Sequence, residues 1–358
     1  MSTIDLSQLG FTGDFVAEAA LHDDCYPARV LSQSRDRYQI VCANGELTAK
    51  VSGHFRHHAQ TNADFPAVGD FVLTDQPDAS GAHAVIQRVL PRHSAFIRQA
   101  AGAKGVEQVV AANIDTVFIC MSLNHDFNLR RLERYFAIGW ESGAVPVAVL
   151  TKADLASDWE KRLAQVHAVC PGAEVLITSA RQENGGETLG RFLTKGKTVA
   201  FIGSSGVGKS TLINHLAGKT LLPTSDLSHD DKGRHTTTRR ELLLLASGAM
   251  VIDTPGMREL GLEYTDLGRT FADIETLARG CRFHDCAHDR EPGCAVQLAI
   301  TEGRLEAERL HSYRKLALEA RYDGLTSRQI ETMKIDDMFG GKANFKAAHR
   351  QAKRKNQR

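Results

Sequence analysis

Short runs of β-branched and apolar residues, separated by polar turns, occupy the first third of the chain. Five such runs fall between residues 25 and 97, namely Ala28–Leu31, Tyr38–Cys42, Leu47–Val51, Gly69–Leu73 and Ala84–Leu90. Asn44-Gly45 separates the second run from the third, and Asn-Gly between two apolar runs is a strong hairpin signal. The spacing predicts a small five-stranded barrel. An OB-type barrel is favoured, and an SH3-like barrel stays open because periodicity does not separate the two.

Beyond about residue 108 the pattern changes to apolar runs that alternate with amphipathic segments. The runs are Thr116–Met121, Val145–Leu150, Val175–Thr178, Thr198–Ile202, Leu242–Ala246 and Met250–Ile252. The segment Asn128–Glu141 lies between the first two runs and carries apolar residues at helical spacing. This alternation predicts an α/β domain in which a mostly parallel sheet is covered by helices on both faces.

From about residue 270 the strand pattern ends, and a Cys/His cluster is followed by a helical run, Glu302–Tyr322. In that run Leu305, Leu310, Tyr313 and Leu316 repeat at helical spacing. The whole pattern predicts five segments. They are an acidic N-terminal tail (1–24), an OB-like β-barrel (25–100), an α/β domain (108–270), a helical metal-binding domain (271–330) and a basic tail (331–358).

The composition is that of a folded globular protein and argues against membrane-spanning and disulfide-rich secreted classes. Apolar residues make up 42% and charged residues 24% of the 358 residues, which is ordinary for a folded globular chain of two or three domains. There is no run of 18 apolar residues, so we expect no membrane contact. Seven cysteines are too few for a disulfide scaffold, and residues 1–24 contain no Lys or Arg and so lack the start of a secretory signal. We therefore expect a cytoplasmic protein, acting as a monomer.

The net charge of +1 hides an uneven distribution. Residues 1–24 carry five acidic residues and no Lys or Arg, whereas residues 341–358 carry seven Lys or Arg and no acid. Charge blocks at chain ends are usually solvated. The basic block also suits contact with a polyanion such as RNA.

A glycine-rich loop follows the run Thr198–Ile202. Residues 203–210 read Gly-Ser-Ser-Gly-Val-Gly-Lys-Ser and match the phosphate-loop pattern in full, with an apolar-periodic helix after them. Glycines allow successive backbone N–H groups to point at phosphate oxygens, and the helix N-terminus adds partial positive charge. In such loops the lysine reaches the β- and γ-phosphates, and the serine that follows binds Mg²⁺. The predicted phosphate contacts are Gly203, Ser204, Ser205, Gly206, Val207, Gly208, Lys209, Ser210 and Thr211, with Ser210 as a magnesium ligand.

Two other loops, each at the end of an apolar run, predict that the base is guanine. Asp154 closes the sequence Thr-Lys-Ala-Asp, and its carboxylate accepts hydrogen bonds only. It could accept from N1–H and N2–H of guanine, whereas N1 of adenine is itself an acceptor. Lys152 is predicted to lie along the base plane, and a backbone N–H of Ser179-Ala180 to contact the guanine carbonyl. The predicted base contacts are Thr151, Lys152, Ala153, Asp154, Ser179 and Ala180.

Two segments after the phosphate loop resemble nucleotide switches. The first reads Gly-Arg-His-Thr-Thr-Thr at residues 233–238, and one of its threonines could complete the Mg²⁺ shell. The second, Asp-Thr-Pro-Gly, follows the run Met250–Ile252. Asp253 would hold Mg²⁺ through water, and the N–H of Gly256 would sense the γ-phosphate. Because the base loops precede the phosphate loop, the order predicts a circularly permuted GTPase domain that binds GTP and GDP with Mg²⁺.

Met257 stands directly after the second switch, where Ras-like GTPases place a glutamine that orients the attacking water. A thioether is only a weak acceptor, so we expect slow unassisted hydrolysis and a water-orienting group from elsewhere. His235 in the first switch is the candidate for that catalytic role. A loop histidine without a catalytic role is the alternative.

Four residues with borderline or soft ligand atoms lie within fourteen positions of each other, in the pattern Cys-x4-Cys-x-His-x5-Cys. Three thiolates and one imidazole suit tetrahedral Zn²⁺ and leave no open position, so the predicted site is structural. The predicted zinc ligands are Cys281, Cys286, His288 and Cys294. Unligated cysteines, a disulfide pair and a reactive thiol are the alternatives.

The barrel, the permuted motif order, the Gly-Arg-His-Thr-Thr-Thr segment and the Cys/His cluster together resemble the bacterial ribosome small-subunit-dependent GTPase A family, over roughly residues 25–330. Pro91-Arg92 and Ile97-Arg98-Gln99 are also similar to that family. The resemblance implies a GTPase that binds the small ribosomal subunit and its 16S rRNA late in assembly, and whose hydrolysis the subunit stimulates. It also implies that Thr237 is the switch threonine that binds Mg²⁺.

Two other functions stay open from the sequence. One is a different P-loop enzyme, an ATPase or a kinase, against which the Thr-Lys-Ala-Asp loop argues. The other is an RNA-binding switch in which nucleotide sets the conformation and turnover is incidental. Competition by ATP distinguishes the first from a GTPase, and a hydrolysis-dead variant that still binds GTP distinguishes the second.

Overall fold

A computed structural model describes residues 4–34, 36–76, 83–99, 107–124, 126–179, 187–204, 206–220, 241–253, 270–289 and 291–322 of the chain. The strands are β1 Tyr26–Ser34, β2 Arg37–Cys42, β3 Gly45–Val51, β4 Phe71–Thr74, β5 Ala84–Val89, β6 Ala95–Gln99, β7 Glu107–Ala112, β8 Thr116–Ser122, β9 Val145–Thr151, β10 Glu174–Ile177, β11 Thr198–Ile202, β12 Glu241–Leu244 and β13 Met250–Asp253. The α-helices are α1 Asp14–Ala19, α2 Gly53–His58, α3 Leu129–Glu141, α4 Trp159–Val169, α5 Lys209–Ala217, α6 Ala272–Ala278, α7 Ala295–Thr301 and α8 Ala307–Tyr322.

The first five strands close into a barrel. They follow the order β1-β2-β3-β5-β4 and return to β1 through an antiparallel β1–β4 pairing, while β3 and β5 run parallel. Alternate residues of each strand point inward, and Ala28, Val30, Ile40 and Ile86 form part of a fully buried core. The parallel β3–β5 pair closes the sheet in an OB-type order, which confirms the favoured barrel.

A mostly parallel sheet forms the second domain. Its strands lie in the order β10-β9-β8-β11-β13-β12, and only β12 runs antiparallel to its neighbour. Every residue of β8 and β11 is buried, as expected for central strands covered on both faces. In β8, Val117 and Ile119 pack into one core and Phe118 and Cys120 into the other. The predicted α/β architecture is therefore confirmed.

The chain order within this sheet is permuted. β11, which leads into the phosphate loop, lies in the centre between β8 and β13, yet it comes after β8, β9 and β10 in the sequence. The carboxyl ends of β9, β10, β11 and β13 lie at the same edge of the sheet because all four run parallel. Ligands of open α/β sheets bind at this edge.

The C-terminal helices pack directly onto the α/β domain. Leu305, Leu310 and Leu316 belong to the same buried cluster as Leu132 of α3 and Val166 of α4. The predicted helical run Glu302–Tyr322 was too long at its start, because α7 ends at Thr301 and α8 begins at Ala307. Gly303 lies between them at φ +72°, a left-handed conformation that ends a helix.

Residues 1–24 were predicted to form an acidic tail, but the described part of that segment, residues 4–24, packs against the rest of the protein. A 3-10 turn, Leu6–Leu9, buries both of its leucines in the large core of the α/β domain. Phe15 of α1 lies 4.4 Å, ring centroid to ring centroid, from Phe71 of the barrel. The acidic side chains give the segment its negative charge, but its position is set by the packing of these apolar residues.

A shared sheet joins the barrel to the α/β domain. β1 extends beyond the barrel, and Ser32 pairs with Glu241 of β12, so that one sheet runs through both domains. A hairpin of β6 and β7, which the sequence did not predict, lies between the domains in the chain.

Among the described helices, none combines the length and the hydropathy needed to cross a bilayer.

Candidate nucleotide and metal sites

The glycine-rich loop curves between β11 and α5. Gly203, Gly206 and Gly208 adopt φ values of +143°, +76° and +104°, which residues with a side chain rarely adopt. A Cβ on Gly203 would lie 2.4 Å from the carbonyl oxygen of Cys120, so only glycine fits there. Gly208 is the N-cap of α5, and the loop therefore ends at a helix N-terminus, where N–H groups and the helix dipole favour an anion.

Lys209 folds back over this loop. Its Nζ atom donates to the carbonyl oxygens of Gly203 and Ser204, at 2.7 and 2.6 Å. Ser210 and Thr211 follow in the first turn of α5, with Ser210 half-buried and Thr211 exposed. The ammonium group and the helix N-terminus thus place positive charge inside and beside the curve of the loop.

The Thr-Lys-Ala-Asp loop is attached to the glycine-rich loop by two hydrogen bonds. The hydroxyl of Thr151, at the end of β9, donates to the carbonyl oxygen of Val207 at 2.5 Å. Lys152 has φ +58°, and its Nζ atom donates to the carbonyl oxygen of Gly206 at 2.7 Å. Residues 151–152 and 206–207 therefore hold each other in position across 56 residues of sequence.

Asp154 lies in the 3-10 turn Ala153–Leu155 that follows. Its Oδ1 atom accepts from the hydroxyl of Ser179 at 2.5 Å, and Ser179 is fully buried. The backbone N–H of Ala153 donates to the carbonyl of Thr178. The loops after β9 and β10 therefore form one unit, in which a buried serine orients the carboxylate.

The structure brings most of the predicted nucleotide residues to one edge of the sheet. The loops after β9, β10 and β11 are in contact, and Asp253 ends β13, which pairs with β11 in the same sheet. Five predicted site residues, Ala180, Ser205, His235, Thr237 and Gly256, lie outside the described residues. Their roles stay predictions.

The structure brings the four residues of the Cys/His cluster together. The ligand atoms of Cys281, Cys286, His288 and Cys294 all lie within 4.8 Å of one another. His288 Nδ1 lies 3.6 Å from the sulfur of Cys281 and 3.5 Å from that of Cys294, and the two sulfurs are 3.9 Å apart. Tetrahedral Zn²⁺, with bonds of about 2.3 Å to sulfur and 2.0 Å to nitrogen, separates its ligand atoms by about 3.5–3.8 Å. The donor set and its spacing fit a metal site.

Supporting contacts fix the histidine of this cluster. His288 has φ +60°, which is unusual for a residue with a side chain. Its carbonyl oxygen accepts from Gln297 Nε2 at 2.5 Å and also from the guanidinium of Arg314. The side chains of α7 and α8 thus hold the backbone that presents the imidazole.

A buried ionic cluster that joins α3, α6 and α8 was not predicted. The guanidinium of Arg309 on α8 contacts Glu133 of α3 at 2.6 Å and both carboxylate oxygens of Asp273 on α6 at 2.5 and 2.7 Å. It also donates to the carbonyls of Val169 and Thr270. The sequence did hold a signal, because Arg309 lies at helical spacing, four residues, from both Leu305 and Tyr313 in the predicted run Glu302–Tyr322.

Known proteins are similar to this chain in sequence. A model of the RsgA GTPase family matches residues 89–263. The "Small ribosomal subunit biogenesis GTPase RsgA 2" of Lactiplantibacillus plantarum is 48% identical over 345 residues, which cover 96% of this chain and 97% of the relative. The "Small ribosomal subunit biogenesis GTPase RsgA" of Opitutus terrae is 46% identical, over 88% of this chain and 90% of the relative.

Two solved structures are also similar. YjeQ from Thermotoga maritima aligns with a TM-score of 0.61 and 25% identity, over 83% of this chain and 98% of that chain. YloQ, described as a circularly permuted GTPase, aligns with a TM-score of 0.59 and 24% identity, over 84% of this chain and 96% of that chain. The second likeness supports the permuted fold alone. High identity over nearly the whole chain, together with the family match, places this protein: the chain belongs to the RsgA GTPase family.

Proposed function

We propose that this protein is a GTPase that binds the small ribosomal subunit, hydrolyses GTP with water to GDP and phosphate when the subunit stimulates it, and couples that hydrolysis to late assembly of the subunit. One observation carries the chemical part of the proposal. A glycine cradle with Lys209 over it is hydrogen-bonded to a second loop that ends in an oriented carboxylate, Asp154. A phosphate-binding element and a base-reading element are thereby held at a fixed separation.

Guanine is the base that fits this carboxylate. Asp154 accepts hydrogen bonds only, and guanine presents two donors, N1–H and N2–H, on one edge. Adenine presents an acceptor at N1, which a carboxylate repels. The bond from Ser179 to Asp154 Oδ1 orients the carboxylate. A pre-oriented acceptor loses little entropy when the base binds.

Mg²⁺ is the metal that accompanies a nucleoside triphosphate in such loops, and it neutralises charge on the phosphates. Ser210 and Thr237 are the residues proposed to bind it directly, with Asp253 acting through water. The chemistry fits, because hydroxyl and carboxylate oxygens are the ligands that Mg²⁺ prefers. For the water that attacks GTP, Met257 offers no adequate acceptor, and His235 is the proposed orienting group.

Zn²⁺ is the proposed occupant of the Cys/His cluster. Three thiolates and an imidazole at tetrahedral spacing suit Zn²⁺, and hard cations prefer oxygen ligands. Because the four ligands fill the coordination shell, the role is structural. Residues 281–294 contribute few buried apolar side chains of their own, so metal binding supplies folding energy to this segment.

The partner is proposed from the relatives, whose names describe biogenesis of the small ribosomal subunit. The barrel carries exposed cations and imidazoles on α2, namely His54, Arg56, His57 and His58. Such a surface suits the phosphates of 16S rRNA, and the basic segment 341–358 adds to it. A cytoplasmic monomer that meets the subunit in solution is consistent with this role.

GTP turnover with purified ribosomal subunits tests the proposal. We expect slow turnover by the protein alone, a large increase with small subunits and none with large subunits, and no competition by ATP. Lys209→Ala should abolish both rates, because the loop loses the cation that reaches the phosphates. Equal stimulation by both subunits would contradict the proposed partner, and efficient ATP turnover would contradict the proposed base.

A further inference from the structure

Thr151 is the residue at which the two nucleotide loops meet. It is 4% exposed, and its hydroxyl donates to the carbonyl oxygen of Val207, a residue that is 1% exposed. A threonine hydroxyl carries a single hydrogen. Once that hydrogen is directed at Val207, the side chain of Thr151 can accept hydrogen bonds but can donate none.

Guanine presents different groups on its two sides. N1–H and N2–H are donors, whereas N7 and O6 are acceptors. Asp154 matches the donor edge. N7 lies on the opposite side, and binding it requires a donor. Thr151 precedes Asp154 by three residues and contacts the glycine-rich loop. With the phosphates in that loop and N1 and N2 at Asp154, the five-membered ring of the purine would face Thr151.

The hydroxyl cannot serve both acceptors. To donate to N7 it would have to leave the carbonyl of Val207, which is a buried acceptor. An unpaired buried acceptor costs more free energy than a typical hydrogen bond returns. The link between the loops would also be lost, and with it the fixed separation between the phosphate site and Asp154.

We propose that Thr151 acts as a specificity-determining residue that commits this pocket to reading guanine from its N1–N2 edge, with N7 left unrecognised. The inference rests on the proposed guanine pocket and deepens it. An asparagine at this position would behave differently, because its amide group carries two N–H donors. One N–H could donate to the carbonyl oxygen of Val207 while the other donates to N7 of guanine.

Binding of GDP and of 7-deaza-GDP, in which a C–H replaces N7, tests the proposal by isothermal calorimetry. We expect the wild-type protein to bind both with the same dissociation constant, within about twofold. A loss of roughly threefold or more with 7-deaza-GDP would overturn the proposal, since one hydrogen bond is worth about three- to tenfold in affinity. The wild-type comparison needs no substitution and therefore does not depend on a variant that folds.

Two variants sharpen the test. Thr151→Asn should gain a preference for GDP over 7-deaza-GDP of roughly three- to tenfold, the value of one hydrogen bond. Thr151→Ser is the matched control, because it keeps one hydroxyl hydrogen, and it should bind both nucleotides equally. A preference for GDP over 7-deaza-GDP in Thr151→Ser would contradict the argument from donor number.

The same titrations separate failure of this inference from failure of the proposed function. If the wild-type protein did not prefer GDP over ADP, the guanine pocket itself would be wrong. If it preferred GDP over ADP and also discriminated against 7-deaza-GDP, the pocket would stand and the role of Thr151 would be overturned.

Discussion

Replacing Arg309 with methionine should strongly destabilise the α/β domain and the helices that pack on it. In the native protein this guanidinium is 5% exposed and lies between Glu133, 2% exposed, and Asp273. The substitution keeps much of the apolar volume but leaves two carboxylates near each other without a cation. Breaking a buried ion pair from one side costs about 3–5 kcal/mol, because a buried charge remains uncompensated.

The other contacts of this cluster add to the expected loss. Glu133 also accepts from the hydroxyl of Ser312 at 2.5 Å, and the guanidinium of Arg309 packs over the ring of Phe271 at 5.0 Å. Burial raises the pKa of Glu133 above its usual range, although Ser312 and Arg309 oppose that rise. Without Arg309 the carboxylate would take up a proton more readily still. The chain therefore has little means of relieving the substitution except by exposing the cluster.

Thermal unfolding followed by circular dichroism measures the effect. A loss of 3 kcal/mol lowers Tm by roughly 6–12 °C for a unit of this size. Arg304→Met is the matched control, because Arg304 pairs with Glu302 at the surface, where both side chains are about half exposed. Exposed pairs contribute about 0–1 kcal/mol, so its Tm should stay within about 3 °C of the wild type. If Arg309→Met and Arg304→Met lowered Tm equally, the conclusion that the Arg309 cluster stabilises the packing of α3 against α8 would be refuted.

Three further outcomes are expected. Cys294→Ser should reduce bound zinc from about one equivalent per chain to a small fraction and should expose residues 270–322 to protease, whereas Cys25→Ser, outside the cluster, should change neither quantity. Asp154→Asn should weaken GDP binding and improve binding of xanthosine diphosphate, because the amide can donate to the xanthine carbonyl at position 2; unchanged GDP affinity in a direct titration would exclude this carboxylate from base recognition. His235→Ala should lower subunit-stimulated turnover while GTP affinity stays the same, and unaltered stimulated turnover would remove His235 from the mechanism.

Local patterns in the sequence predicted most of the strands and both motif-bearing loops. The phosphate loop is recognisable because its glycines, its lysine and the strand before it are contiguous. Strand pairing is not local. The predicted run Ala28–Leu31 became Tyr26–Ser34, because β1 continues past the barrel to pair with β12 and its last residues are polar. No apolar signal marks that extension. The choice between OB-type and SH3-like closure likewise depends on β1–β4 and β3–β5 pairs that periodicity does not encode.

Contacts between distant segments were the part of the candidate site that the sequence could not supply. The bond from Thr151 to Val207 spans 56 residues, and the contact of Arg309 with Glu133 spans 176. Arg29 and Arg309 are both buried. The charge pattern of the sequence did not predict this, because Lys and Arg are expected to be solvated unless they are paired. The five acidic residues of residues 1–24 suggested a solvated tail. A few apolar residues, Leu6 and Leu9 among them, are nevertheless buried, and their packing holds the segment on the protein although most of its acidic residues are exposed.

Arg29 explains how the barrel and the α/β domain hold one orientation. It is fully buried, and its guanidinium donates to Thr198 Oγ1 at 2.8 Å, to the sulfur of Met250 at 3.0 Å and to the carbonyl of Leu9. Among the described residues, no carboxylate lies within ion-pair distance of it, and burial lowers its pKa to about 10. A cation buried among neutral acceptors is tolerated only while every acceptor stays in place. Since Thr198 begins β11 and Met250 begins β13, movement of the barrel against the α/β domain would strain the two strands that lead to the phosphate loop and to Asp253.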